Sequence, residues 1–424
     1  MTESIVPHGP ASPASPLATR SDAGLARFVV TRLLERLRGA TLVVVEGEGE
    51  HRYGAGTPEV RVRVNDPRVY SSLLRSGSSG LGETYVEGWW DCDDLTTLVR
   101  ILVRNMSFIS SHLDRWARVT APVLAPLRAF ATTNKTNDRE NIRAHYDLGN
   151  DFFELMLDET MSYSCAFFED PSVALADASR AKMDRLCRKL DLRPSDHVVE
   201  IGTGWGGWAI HAASKYGCRV TTTTISDAQF DYATRRVVDA GLRDRVDVLN
   251  QDYREVTGVY DKLASVEMIE AVGWRQLDTF FRSCASLLRD DGVMALQAIV
   301  IDDRSYERTK RSEDFIKRQI FPGGFLPSLE AIVTSTSATT DLRVIDVEDI
   351  GRHYAETLSR WRQNIAVHAE GVAQLNLGER FHRLWQFYLS YCEGAFLERH
   401  ISDVQLLFAR AGWRGPLGPS SARA

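Results

Sequence analysis

The chain is short of lysine, of cysteine and of long apolar runs, and each shortage closes off a class of function. Only seven of its 51 basic residues are Lys, and against 57 acidic residues they leave a net charge of -6. A chain of that balance has no global cationic field with which to hold nucleic acid. The six cysteines (Cys92, Cys165, Cys187, Cys218, Cys284, Cys392) are scattered, with no C-x-x-C pair and no His cluster at zinc spacing. That pattern points to a reducing compartment and to no metal. No stretch reaches the ~18 unbroken apolar residues of a membrane span, and the first residues lack a signal peptide's apolar core. A cytoplasmic protein is expected, one still able to bind peripherally to the inner face of the membrane.

At 424 residues the chain exceeds one typical core. Residues 1–22, rich in Pro, Ser and Ala, are expected to be a disordered tail. Over 23–104 the chain reads as a small α+β domain for lipid contact or oligomerisation. A helical apolar pattern (Leu25, Phe28, Val29, Leu33, Leu34, Leu37) precedes strands Thr41–Val45 and Val60–Val64 around a Gly-rich turn, Glu46–Gly56. Residues 105–136 form a basic amphipathic linker: from Arg100 to Asn137 there are six basic residues and one acid, Asp114, among Phe108, Trp116 and Phe130. It reads either as a helix packed between domains or as an interfacial segment on anionic lipid. Residues 137–415 alternate strand and helix (strands Val198–Ile201, Arg219–Thr223, Val246–Leu249, Leu263–Val266, Val293–Ile299) and predict an α/β, doubly wound parallel sheet of Rossmann-like type. Asp302–Arg410 reads as a mostly helical insertion or cap for substrate.

Val198-Val199-Glu200-Ile201-Gly202-Thr203-Gly204-Trp205-Gly206-Gly207-Trp208 is an apolar strand breaking into a glycine turn and a helix. Gly202 and Gly204 let the main chain approach a ligand closely, and the amides that open the helix point outward as donors. Glu200 at the strand's end repels a pyrophosphate but suits an ammonium or a ribose hydroxyl, which favours S-adenosylmethionine (SAM). The rival is a dinucleotide, since Gly202, Gly204 and Gly207 satisfy G-x-G-x-x-G. That site also wants an acid ending the second strand. Here the strand runs into Thr224-Ile225-Ser226, and Asp227 falls in the next helix.

Several ordered motifs, taken together, resemble the cyclopropane fatty acid synthase family over about residues 80 to 410. They are Tyr146-Asp147-Leu148-Gly149-Asn150, Met161-Ser162-Tyr163-Ser164-Cys165-Ala166, the glycine junction, Thr224–Gln229, Gln251-Asp252-Tyr253-Arg254, Phe321-Pro322-Gly323-Gly324-Phe325 and Tyr388-Leu389-Ser390-Tyr391-Cys392. The resemblance implies that Tyr163 and Ser164 close over SAM. It implies that Val198, Val199, Glu200, Ile201, Gly202, Thr203, Gly204, Trp205 and Gly206 hold its methionine part. Thr224, Ile225, Ser226 and Gln229 then bind the ribose, and Asp252 and Tyr253 flank adenine. Gln229 offers both a donor and an acceptor to a ribose diol.

An alkene is a poor nucleophile, so the pocket must be dry, must stabilise a carbocation with aromatic faces and must supply a base. In the resembling family that base is thought to be a bound bicarbonate ion. The resemblance places its holders at Cys165, Glu270, Gln297, the main chain of Ile299, and Tyr354. Gln297 stands where the family has His, Ala271 where a further His is usual, and Glu267 where Gly is usual. Gln297 can donate to an anion but cannot carry a proton away. Cys392, at the family's signature position, is either a nucleophile or inert packing beside the acyl chain. Cys165 is either an anion ligand through its side chain or a backbone donor.

These departures resemble the branch that makes 10-methylene-stearoyl chains, precursors of 10-methylstearic and tuberculostearic acids. The implied activity is SAM-dependent transfer to the cis double bond of an oleoyl-type chain esterified in a membrane phospholipid, with a separate reductase acting on the product. A cyclopropane product, a catalytically inactive lipid-binding protein and a nicotinamide oxidoreductase are the alternatives. A homodimer is expected, and no nucleic acid partner.

Overall fold

A computed structural model describes residues 20–106 and 149–415. The basic linker beyond Met106, the Tyr146-Asp147-Leu148 motif and all but the last three residues of the expected tail lie outside the described residues. Those three residues already belong to a helix, α1 (Arg20–Leu34). The chain forms two compact units, Met1–Asp94 and Leu95–Ala424.

The first unit is a four-stranded sheet of order β2-β1-β3-β4, made of β1 (Ala40–Glu46), β2 (Gly49–Ala55), β3 (Glu59–Val64) and β4 (Trp90–Cys92). β1 is apolar and buried along most of its length, whereas β3 directs Val60 and Val64 inward and leaves Arg61 exposed. The span expected to be one long turn, Glu46–Gly56, is a tight turn followed by β2, antiparallel to β1. β2 is an edge strand with mostly exposed polar side chains, so it carries no apolar alternation to read. Helix α2 (Arg68–Val86) packs against α1 and is interrupted at Gly77, whose φ is +53°. Of the adjacent tryptophans, Trp90 is core, its indole N–H donating to Leu81 O and Thr84 Oγ1, and Trp89 lies under the Arg68 guanidinium.

The second unit is built on a seven-stranded sheet of order β10-β11-β9-β8-β5-β6-β7. β5 (His197–Ile201) is central and pairs in parallel with β6 (Arg219–Thr224) and β8 (Tyr260–Val266); β7 (Val246–Asn250) and β9 (Leu288–Ile301) continue the parallel part. β5 is buried on both faces, as a parallel strand between helical layers must be. Val198 packs with Trp208 and Val220 on one face, Val199 and Ile201 with Leu263, Phe280 and Phe281 on the other. Beyond residue 302 the expected helical cap also supplies two strands. β10 (Arg343–Asp349) and β11 (Ile401–Ala409) are antiparallel to their neighbours and complete the sheet beside β9.

Helix α3 (Leu95–Arg104), read from sequence as the end of the first domain, belongs to this second unit. It packs on helix α4 (Gly378–Leu397), with Arg100 and Arg104 each 2.7 Å from Glu398 and Thr96 Oγ1 donating to Glu393. Among the described residues no helix is long and apolar enough to cross a membrane.

After β5 the chain turns through Gly202, Gly204 and Gly206, with φ of +101°, +52° and +84°, into a helix from Gly207 to Tyr216. Glycine takes these angles without the Cβ clash that other residues meet. Gly207 is required for a different reason, close approach: a Cβ there would lie 2.6 Å from Thr160 O. Gly207→Ala is expected to cost about 1–3 kcal/mol through forced backbone displacement, read as a lowered urea midpoint at unchanged slope.

Candidate active site

The carboxyl ends of β5, β6, β7 and β8 meet at one edge, with the connections from β5 and β8 diverging, the usual place for a ligand crevice in such sheets. At β5 the side chains of Val198, Val199 and Ile201 are core, so they support the cradle without facing it. Glu200 is also buried. Its carboxyl accepts from Thr222 Oγ1 at 2.6 Å, Thr222 lies 2.7 Å from Thr203 Oγ1, and burial raises the Glu200 pKa to about 8. The expected ammonium or ribose acceptor is therefore tied into the sheet and the turn. Gly202 and Thr203 N–H both donate to Thr223 O, and Trp205 Nε1 donates to Asn150 Oδ1 at 2.8 Å. Gly204, left-handed with open space before it, is where the main chain can be approached.

Ser226 caps the helix Asp227–Asp239 by accepting from Gln229 N–H, and Thr224 Oγ1 donates to Gln229 Oε1 at 2.8 Å. Gln229's carbonyl is thus engaged, and its amide NH2 is the group left for a ribose hydroxyl. Ile225, between Thr224 and Ser226, is half-buried. Asp252 caps the turn Tyr253–Glu255 and forks with Arg254 at 2.9 and 2.6 Å. Tyr253, half-buried, meets Phe280 edge-on, and burial pushes its phenol up to about 12. Open space at Gly204, an amide donor and a half-exposed aromatic face fit the methionine, ribose and adenine parts of SAM.

Beside this cradle lies a cluster of buried acids. Glu267, just past β8, holds φ of +49° and directs its carboxylate into three donors. Cys165 N–H donates to Oε1 at 2.8 Å, Gln297 Nε2 donates to the same oxygen at 2.8 Å, and Tyr354 OH donates to Oε2 at 2.6 Å. Gln297 Nε2 also lies 2.9 Å from Asp403 Oδ2, and Gln297 Oε1 accepts from Gln405 at 3.1 Å. Glu270 Oε1 accepts from Ile299 N–H at 2.6 Å, while its Oε2 has no partner. Lys182 Nζ donates to Ser164 Oγ at 2.6 Å.

Burial sets the protonation of this cluster. It raises Glu270 to about 8, with Glu267's charge adding to it, and raises Asp403 well above the carboxylate range, with Glu267 and Glu270 adding. Burial raises Glu267 too, but the hydrogen bonds from Tyr354, Cys165 and Gln297 and the charge of Lys182 oppose it. Its pKa is still raised overall, but of these acids it receives the most hydrogen bonds that favour its charged form.

Tertiary structure thus gathers Cys165, Gln297 and Tyr354 around Glu267, and pairs Ile299 with Glu270, rather than leaving these groups around a space for bicarbonate. The expected bicarbonate does not fit: the Cys165, Gln297 and Tyr354 donors assigned to it are taken by the protein's own carboxylate. Cys165 takes part through its backbone N–H, and its thiol, raised by burial, faces Ala166 O and Ile350 O. Cys392 lies one turn beyond Tyr388 on α4, and burial raises its thiol, the reverse of what an activated nucleophile needs.

Lys182, Asp403 and Gln405 were not anticipated. Lys182 interrupts a buried helical stripe, Ala178-Ser179-Met183-Leu186, an odd place for one of so few lysines. Asp403 and Gln405 share one face of β11, a pattern hidden by the helical reading. Aromatic rings pack in series beside the cluster: Tyr354 stacks on Phe396 at 4.5 Å and meets Trp361 edge-on, Trp361 lies tilted 5.2 Å from Tyr163, and Tyr163 OH is 2.9 Å from Tyr388 OH.

Raised carboxyl pKa values mean that the folded state keeps protons the unfolded chain releases. Stability from Glu200 and Glu270 is complete below the ordinary carboxyl value and is lost as pH rises to about 8. The urea midpoint of the ligand-free protein is expected to fall between about pH 5 and pH 8.5, and Glu270→Gln to flatten that slope.

The family model described as mycolic acid cyclopropane synthetase matches residues 133–406. The tuberculostearic acid methyltransferase UfaA1 of Mycobacterium tuberculosis is 36% identical over 409 residues, 94% of each chain. The cyclopropane-fatty-acyl-phospholipid synthase of Escherichia coli K12 is 35% identical over 355 residues, 84% of this chain and 89% of that one. Among solved structures, the mycolic acid cyclopropane synthase CmaA1 complexed with SAH and CTAB aligns with a TM-score of 0.60 at 31% identity, covering 65% of this chain and 99% of that one. The dinucleotide reading falls away against these matches. The chain belongs to the mycolic acid cyclopropane synthetase family and is a SAM-dependent methyltransferase.

Proposed function

We propose that this enzyme methylates the cis double bond of an oleoyl-type acyl chain esterified in a membrane phospholipid and releases a 10-methylene branched chain. The observation that carries this reading is a carboxylate, Glu267, buried under a run of aromatic side chains beside the nucleotide cradle. SAM supplies an electrophilic methyl group there. The rings of Tyr163, Tyr354, Trp361 and Phe396 suit the cation left on the acyl chain, and the dry surroundings protect it from water. Similarity to the tuberculostearic acid methyltransferase along 94% of both chains supports a branched product over a ring. Similarity to a cyclopropane-fatty-acyl-phospholipid synthase supports the phospholipid substrate and keeps ring closure as the second reading. A methylene product implies a separate hydride-donating reductase to saturate it.

Incubation with methyl-labelled SAM and dioleoyl phospholipid vesicles is expected to place label in the acyl chain, and branch-localising mass spectrometry to find an exocyclic methylene at carbon 10. A cyclopropane would replace the product assignment, and unlabelled lipid would remove the activity. Gln229→Leu is expected to weaken SAM binding by roughly tenfold, the worth of one net hydrogen bond to a ribose hydroxyl, measured by calorimetry. Unchanged affinity would take Gln229 out of the ribose site.

A further inference from the structure

We propose that Glu267 is the enzyme's built-in base: its carboxylate, held by Cys165 N–H, Gln297 Nε2 and Tyr354 OH, takes the proton that the transferred methyl group must lose, so turnover needs no bicarbonate. This rests on the methyl transfer proposed above and adds the identity of the proton acceptor.

Two independent observations carry it. The first is geometric. Three donors from three separate elements converge on one side chain, filling both of its oxygens, and no other acid in the cluster is so provided: Glu270 has one donor and a partnerless oxygen, Asp403 one donor and a partnerless oxygen. The second is backbone strain. Glu267 sits at φ of +49°, a region that favours glycine, immediately after a strand where glycine would be unstrained. A long acidic side chain kept at such a position, and aimed into three donors, is there for what its carboxylate does.

The chemistry balances without a further reactant. The sulfur–methyl bond breaks as a carbon–carbon bond forms to the alkene, and the positive charge passes to the acyl chain. A 1,2-hydride shift brings that charge next to the new methyl. A methyl C–H bond then breaks, its electron pair becomes the exocyclic double bond, and the proton goes to Glu267, from which it returns to solvent when product leaves. Gln297 donates to both Glu267 and Asp403 and carries no proton itself.

The test compares wild type and two variants in carbon-dioxide-free buffer with and without added bicarbonate, using labelled SAM and dioleoyl vesicles. Wild-type turnover is expected to be indifferent to bicarbonate. Glu267→Gln is expected to lose on the order of 100-fold or more in turnover while still binding S-adenosylhomocysteine. Glu267→Gly relieves the backbone and opens the anion place. It is expected to fold, to be inactive without bicarbonate, to regain activity with it, and to broaden the carbon-13 signal of labelled bicarbonate where wild type does not. Wild-type turnover that collapses on bicarbonate removal, or a Glu267→Gln enzyme as fast as wild type, would overturn the assignment while leaving methyl transfer standing. Absence of any label in lipid with wild type would instead overturn the methyl transfer reading.

Discussion

Taking a carboxylate out of water costs several kcal/mol unless donors replace the lost hydration, and the carboxyl edge of this sheet is arranged to replace it for Glu267. The donors come from segments far apart in sequence: the loop holding Cys165, strand β9 with Gln297, and the helix carrying Tyr354. Each is fixed in turn by its own element. Gln297 is held by Gln405 from β11, and Tyr354 is clamped between Phe396 and Trp361. Loss of any one would leave a buried charge short of a donor, so the loop, the sheet and the helices are coupled through this one side chain.

The same cluster explains an electrostatic division within the site. Two carboxyl groups, Glu200 and Asp403, are buried and two more, Glu267 and Glu270, are partly buried, with one buried amine, Lys182. They cannot all ionise in a low dielectric. Burial raises Glu270 and Asp403, with Glu267 adding to both, and raises Glu267 as well, though Glu267 has the most hydrogen bonds opposing the shift. Cysteine chemistry is not called upon: burial raises the thiols of both Cys165 and Cys392.

The glycine junction serves the cradle in two distinct ways. Gly202, Gly204 and Gly206 turn the chain through left-handed angles, and Gly207 lets the helix start against Thr160 O. Much of the motif's remainder is structural. Val198, Val199 and Ile201 fill the core, and Glu200 ties β5 to β6 through Thr222. A motif defined by its ligand is in large part a motif for packing a strand, a turn and a helix.

Local sequence determined the elements whose signal is local. The alternation of strand and helix from β5 to β9 and the start of the helix at Gly207 follow from periodicity and glycine angles within a few residues. The identities of Cys165, Glu270, Gln297, Ile299 and Tyr354 as site residues came through motif resemblance. What tertiary structure decided was pairing. β2 is an exposed edge strand without apolar alternation, α3 joins the second unit through Glu393 and Glu398 nearly 300 residues away, and β11 is a strand held between β9 and β10. The same holds for Glu267: sequence marks it as a departure from glycine, but only the fold brings Cys165, Gln297 and Tyr354 around it. A carboxylate's protonation is set by donors and neighbours in space, and those are fixed by contacts that no local pattern encodes.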